Sequence, residues 1–165
     1  MAASPDTAAA WNAAPLTKFR APRIRRDVVA RPALLERLKS AVDSYPLTLI
    51  CAPGGFGKTT LLAQLAAGTA ADTVLLWATI DEDDNDRQRF FGTLLRMVES
   101  MQLAWEIPPA TLLANAARSD SQSRSALASF VNALCTVSVQ RIVLVLDDLH
   151  SVDHPGVVEH CTAAR

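Results

Sequence analysis

An α/β fold with a parallel sheet and flanking helices is the architecture this sequence predicts, and three features predict it. Short apolar runs alternate with stretches of helical periodicity. The first run, residues 46–51, opens into a glycine-rich stretch and then a helix. The last run, residues 142–146, closes with two aspartates. Strands buried on both faces by crossover helices are apolar throughout, and these runs have that character.

Composition sets the outer bounds. The chain has 165 residues, of which 50% are hydrophobic and 20% charged. That is one ordinary globular domain, not a disordered chain. No apolar run approaches the ~18–20 residues of a membrane span. No basic cluster followed by an apolar block opens the chain, which argues against a secretory signal. The net charge of −1 excludes nucleic-acid binding through bulk charge. Cys51, Cys135 and Cys161 form no CxxC pair. They predict small buried hydrophobes in a reducing compartment, with neither a disulfide framework nor a zinc site.

The elements follow in order. Residues 1–15, rich in Ala, Ser, Pro and Thr, predict a flexible leader. Residues 16–27 carry Lys18, Arg20, Arg23, Arg25 and Arg26, read as a solvated face or a loop packed on the domain. Residues 31–44 predict a helix, with Pro32 in its first turn and Leu34, Leu35, Leu38 and Val42 on one face. Residues 46–51 predict a buried parallel strand, residues 58–67 a helix ended at Gly68, and residues 74–80 a second strand. The acidic turn 81–86 offers caps for a helix over 86–102, whose Phe90, Leu94, Met97, Val98 and Met101 share a core face. A short helix is expected over 110–118. Another over 122–137 should bury Leu127, Phe130, Val131 and Leu134. The third strand, 142–146, ends at Asp147 and Asp148.

The chemistry concentrates in Ala52-Pro53-Gly54-Gly55-Phe56-Gly57-Lys58-Thr59-Thr60. This is the P-loop pattern with Ala52 in place of its first glycine. Small residues let backbone N–H groups converge on phosphate oxygens, and the helix beginning at Lys58 adds its positive end. Ala52, Gly54, Gly55, Gly57, Lys58, Thr59 and Thr60 are therefore the expected nucleotide contacts. Lys58 reaches the β- and γ-phosphates, and Thr59 offers a hydroxyl to Mg²⁺. Asp147 is the second metal-side residue, and Asp148 the candidate to orient or deprotonate an attacking water. For Asp148, a capping role is the alternative.

Other clusters point elsewhere. Asp81, Glu82, Asp83 and Asp84 fit loop solvation and helix capping better than a metal site. His150, His154 and His160 lie at spacings of 4 and 6, and Pro155 intervenes before the last, which argues against a shared metal face. No nucleophile elbow or Cys–His pairing is present.

Read together, these blocks resemble a known family. Thr17-Lys18-Phe19-Arg20, Pro22-Arg23, Val29-Ala30-Arg31, Leu34-Leu35-Glu36-Arg37-Leu38 and residues 47–62 carry the resemblance, followed by Trp77, Asp81, Asp84-Asn85, Phe90 and Leu146-Asp147-Asp148-Leu149-His150. They are similar to the nucleotide-binding domain of MalT-type LuxR-family regulators, ATP-dependent bacterial transcription regulators of the STAND class of P-loop NTPases. The resemblance covers about residues 16–155. It implies a cytoplasmic ATP switch that self-associates or works with the rest of a larger regulator, and places Val29–Arg31 near the adenine. The family's helix-turn-helix has no counterpart here, so no direct nucleic-acid binding is expected of this chain, and no membrane.

Set against that family, residues 16–165 are expected to be a partial P-loop domain, incomplete at the C-terminus, one strand short of a closed sheet. Losing a strand of four or five apolar side chains costs on the order of 10 kcal/mol, comparable with the about 5–15 kcal/mol that holds a domain together. The expectation is a chain that is unstable, rearranged or oligomeric alone, with hydrolysis slow or absent. Two rival functions remain open: a stand-alone small P-loop NTPase or kinase, and a non-enzymatic truncated interaction fragment.

Overall fold

The computed structural model describes residues 14–153 and residue 155. Helix α1 (Pro32–Ser44) and helix α2 (Lys58–Ala67) precede strand β1 (Thr73–Thr79). Three helices follow: α3 (Arg87–Val98), α4 (Pro109–Ala116) and α5 (Asp120–Cys135). Strand β2 (Arg141–Asp147) closes the order. Short 3₁₀ turns occupy Leu16–Phe19, Glu82–Asp84, Glu99–Met101 and Leu149–Ser151.

The sheet is parallel, with β1 beside β2 in a register running from Thr73↔Arg141 to Thr79↔Asp147. The Ile80 N–H extends the ladder to the Asp147 carbonyl at 2.8 Å. Side-chain alternation divides the two faces. Val74, Leu76 and Ala78 join the main core with α3, α4 and α5, where Val98, Leu112 and Ala116 are wholly buried. Leu75 turns the other way and meets Leu38 of α1 and Leu61 and Leu65 of α2. The result is a helix–sheet–helix layering, as the alternating pattern predicts.

Local chemistry explains the boundaries. Pro32 sits in the first turn of α1, where its missing N–H costs nothing. Asp86 caps α3 by accepting from the Gln88 and Arg89 N–H groups, both at 3.0 Å. The Ser119 hydroxyl accepts from the Gln122 N–H at the start of α5. Each buried apolar side chain of α3, such as Phe90, Phe91 and Leu95, contributes about 1.5–3 kcal/mol by leaving water.

Several expectations are corrected. Residues 46–51 form no strand and join no ladder among the described residues. Leu47 and Leu49 are 52% and 74% exposed, so an apolar run here does not mean a buried strand. Val131 is exposed on α5 because the helix turns only its Ala126, Phe130 and Ala133 face fully inward. Leu34 likewise lies outside the buried stripe of α1. Cys51 and Cys135 are exposed rather than buried, and Cys161 lies outside the described residues. So do residues 1–13 of the expected leader, and His154 and His160.

Candidate functional site

The glycine-rich loop forms at the N-terminus of α2. Phe56 N–H turns back to the Pro53 carbonyl at 3.4 Å. Gly55 and Gly57 have φ of 79° and 83°, the left-handed region that a side chain disfavours. A Cβ at Gly54, Gly55 or Gly57 would meet no atom within 4 Å, so the loop encloses open space. Gly57 is the N-cap of α2, and its carbonyl accepts the first helical bond, from the Leu61 N–H at 2.9 Å. The N–H groups of Lys58, Thr59 and Thr60 belong to the first turn, which has no intrahelical partners for them. They and the helix's positive end make this an anion-receptive terminus.

Lys58 lies folded over its own loop. Its ammonium donates to the Ala52 carbonyl at 2.8 Å and the Pro53 carbonyl at 3.3 Å. Two neutral acceptors hold a cation less firmly than an anion would, so an arriving phosphate competes well for it. Arg31 donates to the Phe56 carbonyl at 3.2 Å, so its guanidinium reaches the loop.

The end of β2 completes the arrangement. The Thr59 hydroxyl donates to Asp147 Oδ1 at 3.1 Å across 88 residues of sequence. Asp147 is 4% exposed. Burial pushes its carboxyl above the usual carboxylate range, and the neighbouring Asp148 charge adds to this. The Thr59 hydroxyl and the Lys58 ammonium pull the other way. A hydroxyl and a carboxylate are hard oxygen donors, the type that suits Mg²⁺. An oxygen pair beside an open, cation-bearing loop therefore fits a metal–nucleotide complex.

Asp148 follows with φ of 56°, left-handed for a residue with a side chain. Its carboxylate is 43% exposed, with His150 Nδ1 at 3.7 Å. Ala52, Gly54, Gly55, Gly57, Lys58, Thr59, Thr60 and Asp147 thus share one place, and Asp148 stands at its margin. A separate cavity of about 430 Å³, lined in part by Phe19, Trp77 and Arg96, includes none of these residues. Among the described residues no cluster of His, Cys, Asp and Glu could hold a metal by itself.

A second polar cluster escapes sequence reasoning. Lys18, in the run expected to be a solvated face or a loop packed on the domain, is 9% exposed. It donates to Asp84 Oδ2 at 2.6 Å and Asp81 Oδ2 at 2.7 Å. Asp84, expected to serve loop solvation or helix capping, is 2% exposed, accepts from the Asp81 N–H at 3.0 Å in a capping box and also accepts from the Thr93 hydroxyl at 2.6 Å. Burial works to lower the Lys18 pKa, but the two carboxylates together outweigh it and hold it above the ordinary lysine value. Burial likewise opposes ionisation of Asp81, and Lys18 overcomes it, leaving the carboxyl below its ordinary value. Contacts 63 and 66 residues apart leave no local signal in the sequence.

Comparison with known proteins identifies the family. A family described as "AAA ATPase domain" matches residues 27–158. The chain is similar to the HTH-type transcriptional regulator MalT of Cronobacter sakazakii, 34% identical over 131 residues, 79% of this chain and 14% of that protein. Against the protein of the same name from Serratia proteamaculans it is 34% identical over 145 residues, 87% of this chain and 15% of the relative. For that of Yersinia pestis the figures are 41% over 83 residues, 50% and 9%. The chain therefore spans a small part of the length of the relatives it matches.

Proposed function

The chain belongs to the AAA ATPase domain family, and from that premise we propose that it is the ATP–Mg²⁺-binding switch module of a MalT-like, LuxR-family transcriptional regulator. The observation that carries this is the 3.1 Å bond between Thr59 and Asp147. It joins a phosphate-type loop to an acid-ended strand at one point, which a glycine-rich turn with a surface lysine has no need to do.

The residues divide the work. The loop N–H groups from Gly55 to Thr60 receive the β- and γ-phosphates. Lys58 leaves the Ala52 and Pro53 carbonyls for the phosphate oxygens and neutralises part of their charge. Thr59 and Asp147 are the residues that would hold Mg²⁺, which when bound would neutralise phosphate charge. Asp148 orients water beside them. The family resemblance puts the Val29–Arg31 segment on the adenine side, and the Arg31 guanidinium reaches the loop at the Phe56 carbonyl. Hydrolysis in this chain alone is proposed to be slow or absent. Bound ATP then acts by favouring one conformation and its self-association, as a ligand does when it binds one state better than another.

Calorimetric titration of Mg–ATP into the chain and into Lys58→Ala tests this. The parent should bind and the variant should lose about tenfold or more in affinity. Equal affinity for both would overturn the site assignment.

A further inference from the structure

Two loops leave the paired strands side by side at their C-terminal ends. One, after β1, runs from Asp81 to Asp86; the other, after β2, runs from Asp148 to Asp153. They are joined by a reciprocal pair of hydrogen bonds. Asn85 Nδ2 donates to Asp153 Oδ1 at 2.8 Å, and the Asp153 backbone N–H donates to Asn85 Oδ1 at 3.1 Å. We infer that this clasp makes Asn85 a positioning residue for Asp148. The inference rests on the proposed role of Asp148 at the nucleotide site.

The backbone explains what the clasp is for. A left-handed φ at a residue with a side chain persists only when the surroundings hold it. Upstream, Asp147 is fixed by the Ile80 ladder bond and by Thr59. Downstream, the turn closes through Ser151 N–H to the Asp148 carbonyl at 3.0 Å and Val152 N–H to the Leu149 carbonyl at 3.2 Å. Val152 is buried against the main core, and Asp153 is the next residue. The clasp fixes that end laterally, where a single apolar contact leaves rotation free.

Asn85 is suited to be the rigid side of the pair. Its own N–H is bonded to the Glu82 carbonyl at 3.1 Å. It stands between Asp84, locked by Lys18 and Thr93, and Asp86, which caps α3. A carboxamide offers one donor and one acceptor side by side, which matches the carboxylate and N–H of Asp153. The loop that carries Asp148 is thus referenced to α3 and to the buried Lys18 cluster.

The test uses the 165-residue chain and Asn85→Ala, Asp153→Ala and Asp153→Asn. The first readout is hydrogen exchange at the Ser151 and Val152 amides. Asp153→Ala loses one bond of the pair and should accelerate it by about tenfold, and Asn85→Ala, which loses both, by at least about tenfold. Asp153→Asn keeps an oxygen acceptor and its backbone N–H, and should stay within about twofold of the parent. The second readout is the affinity for Mg–ADP and for Mg–ADP–aluminium fluoride, which mimics the phosphoryl group in transfer. Asn85→Ala should weaken the fluoride complex by about tenfold and ADP by no more than about twofold. A merely structural role would lower both alike, and that result overturns the inference. Unchanged exchange in Asn85→Ala also overturns it, whether or not nucleotide binds. A parent chain that binds neither nucleotide defeats the proposed function instead, and the exchange result still decides whether the clasp holds the Asp148 turn.

Discussion

Lys18→Met should be among the most destabilising single changes in this chain. It removes the ammonium from Asp84, whose side chain is 3% exposed, and breaks the bond at 2.6 Å. Removing one partner of a buried pair leaves an uncompensated charge, at a cost of about 3–5 kcal/mol. The Asp81 side chain is 53% exposed, and that half of the cluster adds little. Asp84 keeps the Thr93 hydroxyl and the Asp81 N–H, at 2.6 and 3.0 Å, so the loss should fall near the lower bound, about 3 kcal/mol. In urea that is a midpoint shift of roughly 1.5–2 M. Adding Asp84→Asn should recover at least about half of the loss, since neither buried partner is then charged. The pH dependence has two limbs. Asp81 is held below its ordinary pKa, so its share of stability is present above about 3.8 and is lost as pH falls through the lower folded value. Lys18 is raised above 10.5, so its share is complete below that value and is lost as pH rises through the folded one. Lys18→Met should flatten both limbs. A midpoint shift under about 0.3 M, or no coupling to Asp84→Asn, would refute the assignment of a buried anchor.

Asp147→Asn should raise the urea midpoint at neutral pH, because burial has pushed the native carboxyl upward and its ionised form opposes folding. The gain should fade as pH falls toward 3.8, where the parent also becomes neutral, and a destabilised variant at pH 7 would contradict this. Gly57→Ala should cost about 1–2 kcal/mol from its φ of 83° alone, read as a lower melting temperature. Leu112→Ala, at a wholly buried position, should cost about 2–5 kcal/mol, whereas Leu49→Ser, at 74% exposed, should stay within about 0.5 kcal/mol. Similar costs for the last two would show that residues 46–51 are packed inside the fold.

Much of this architecture is legible in local pattern, and the exceptions share a cause. The runs 74–80 and 142–146 are strands because their neighbours in space are also apolar and lie at matching register. The run 46–51 has the same composition, but a ladder needs a partner, and composition does not record one. The helices from α1 to α5 follow from periodicity and caps, which act over a few residues. The loop 52–60 is readable because its chemistry is contiguous, and Asp147 because a strand ending in acids aims them at that loop. Lys18, Asp84, Asn85 and Asp153 were not readable as a group. Their pairings span 66 and 68 residues, and each residue taken alone looks like a solvated side chain in a charged or turn-forming stretch. Val131 and the exposed cysteines mark the opposite limit, where residue type predicts burial but the helix rotation or the loop path decides it.

The central claim is that loop 52–60 and the end of β2 form one site for a nucleotide with its metal. Its most direct test is the Mg²⁺ dependence of ATP affinity, measured by calorimetry with Mg²⁺ and with a chelator, in the parent and in Asp147→Asn. Mg²⁺ should tighten ATP binding to the parent by about tenfold or more, and Asp147→Asn should lose most of this gain while still binding metal-free ATP through Lys58. An equal gain from Mg²⁺ in both proteins would contradict it, since the Thr59–Asp147 junction would then have no part in holding the metal.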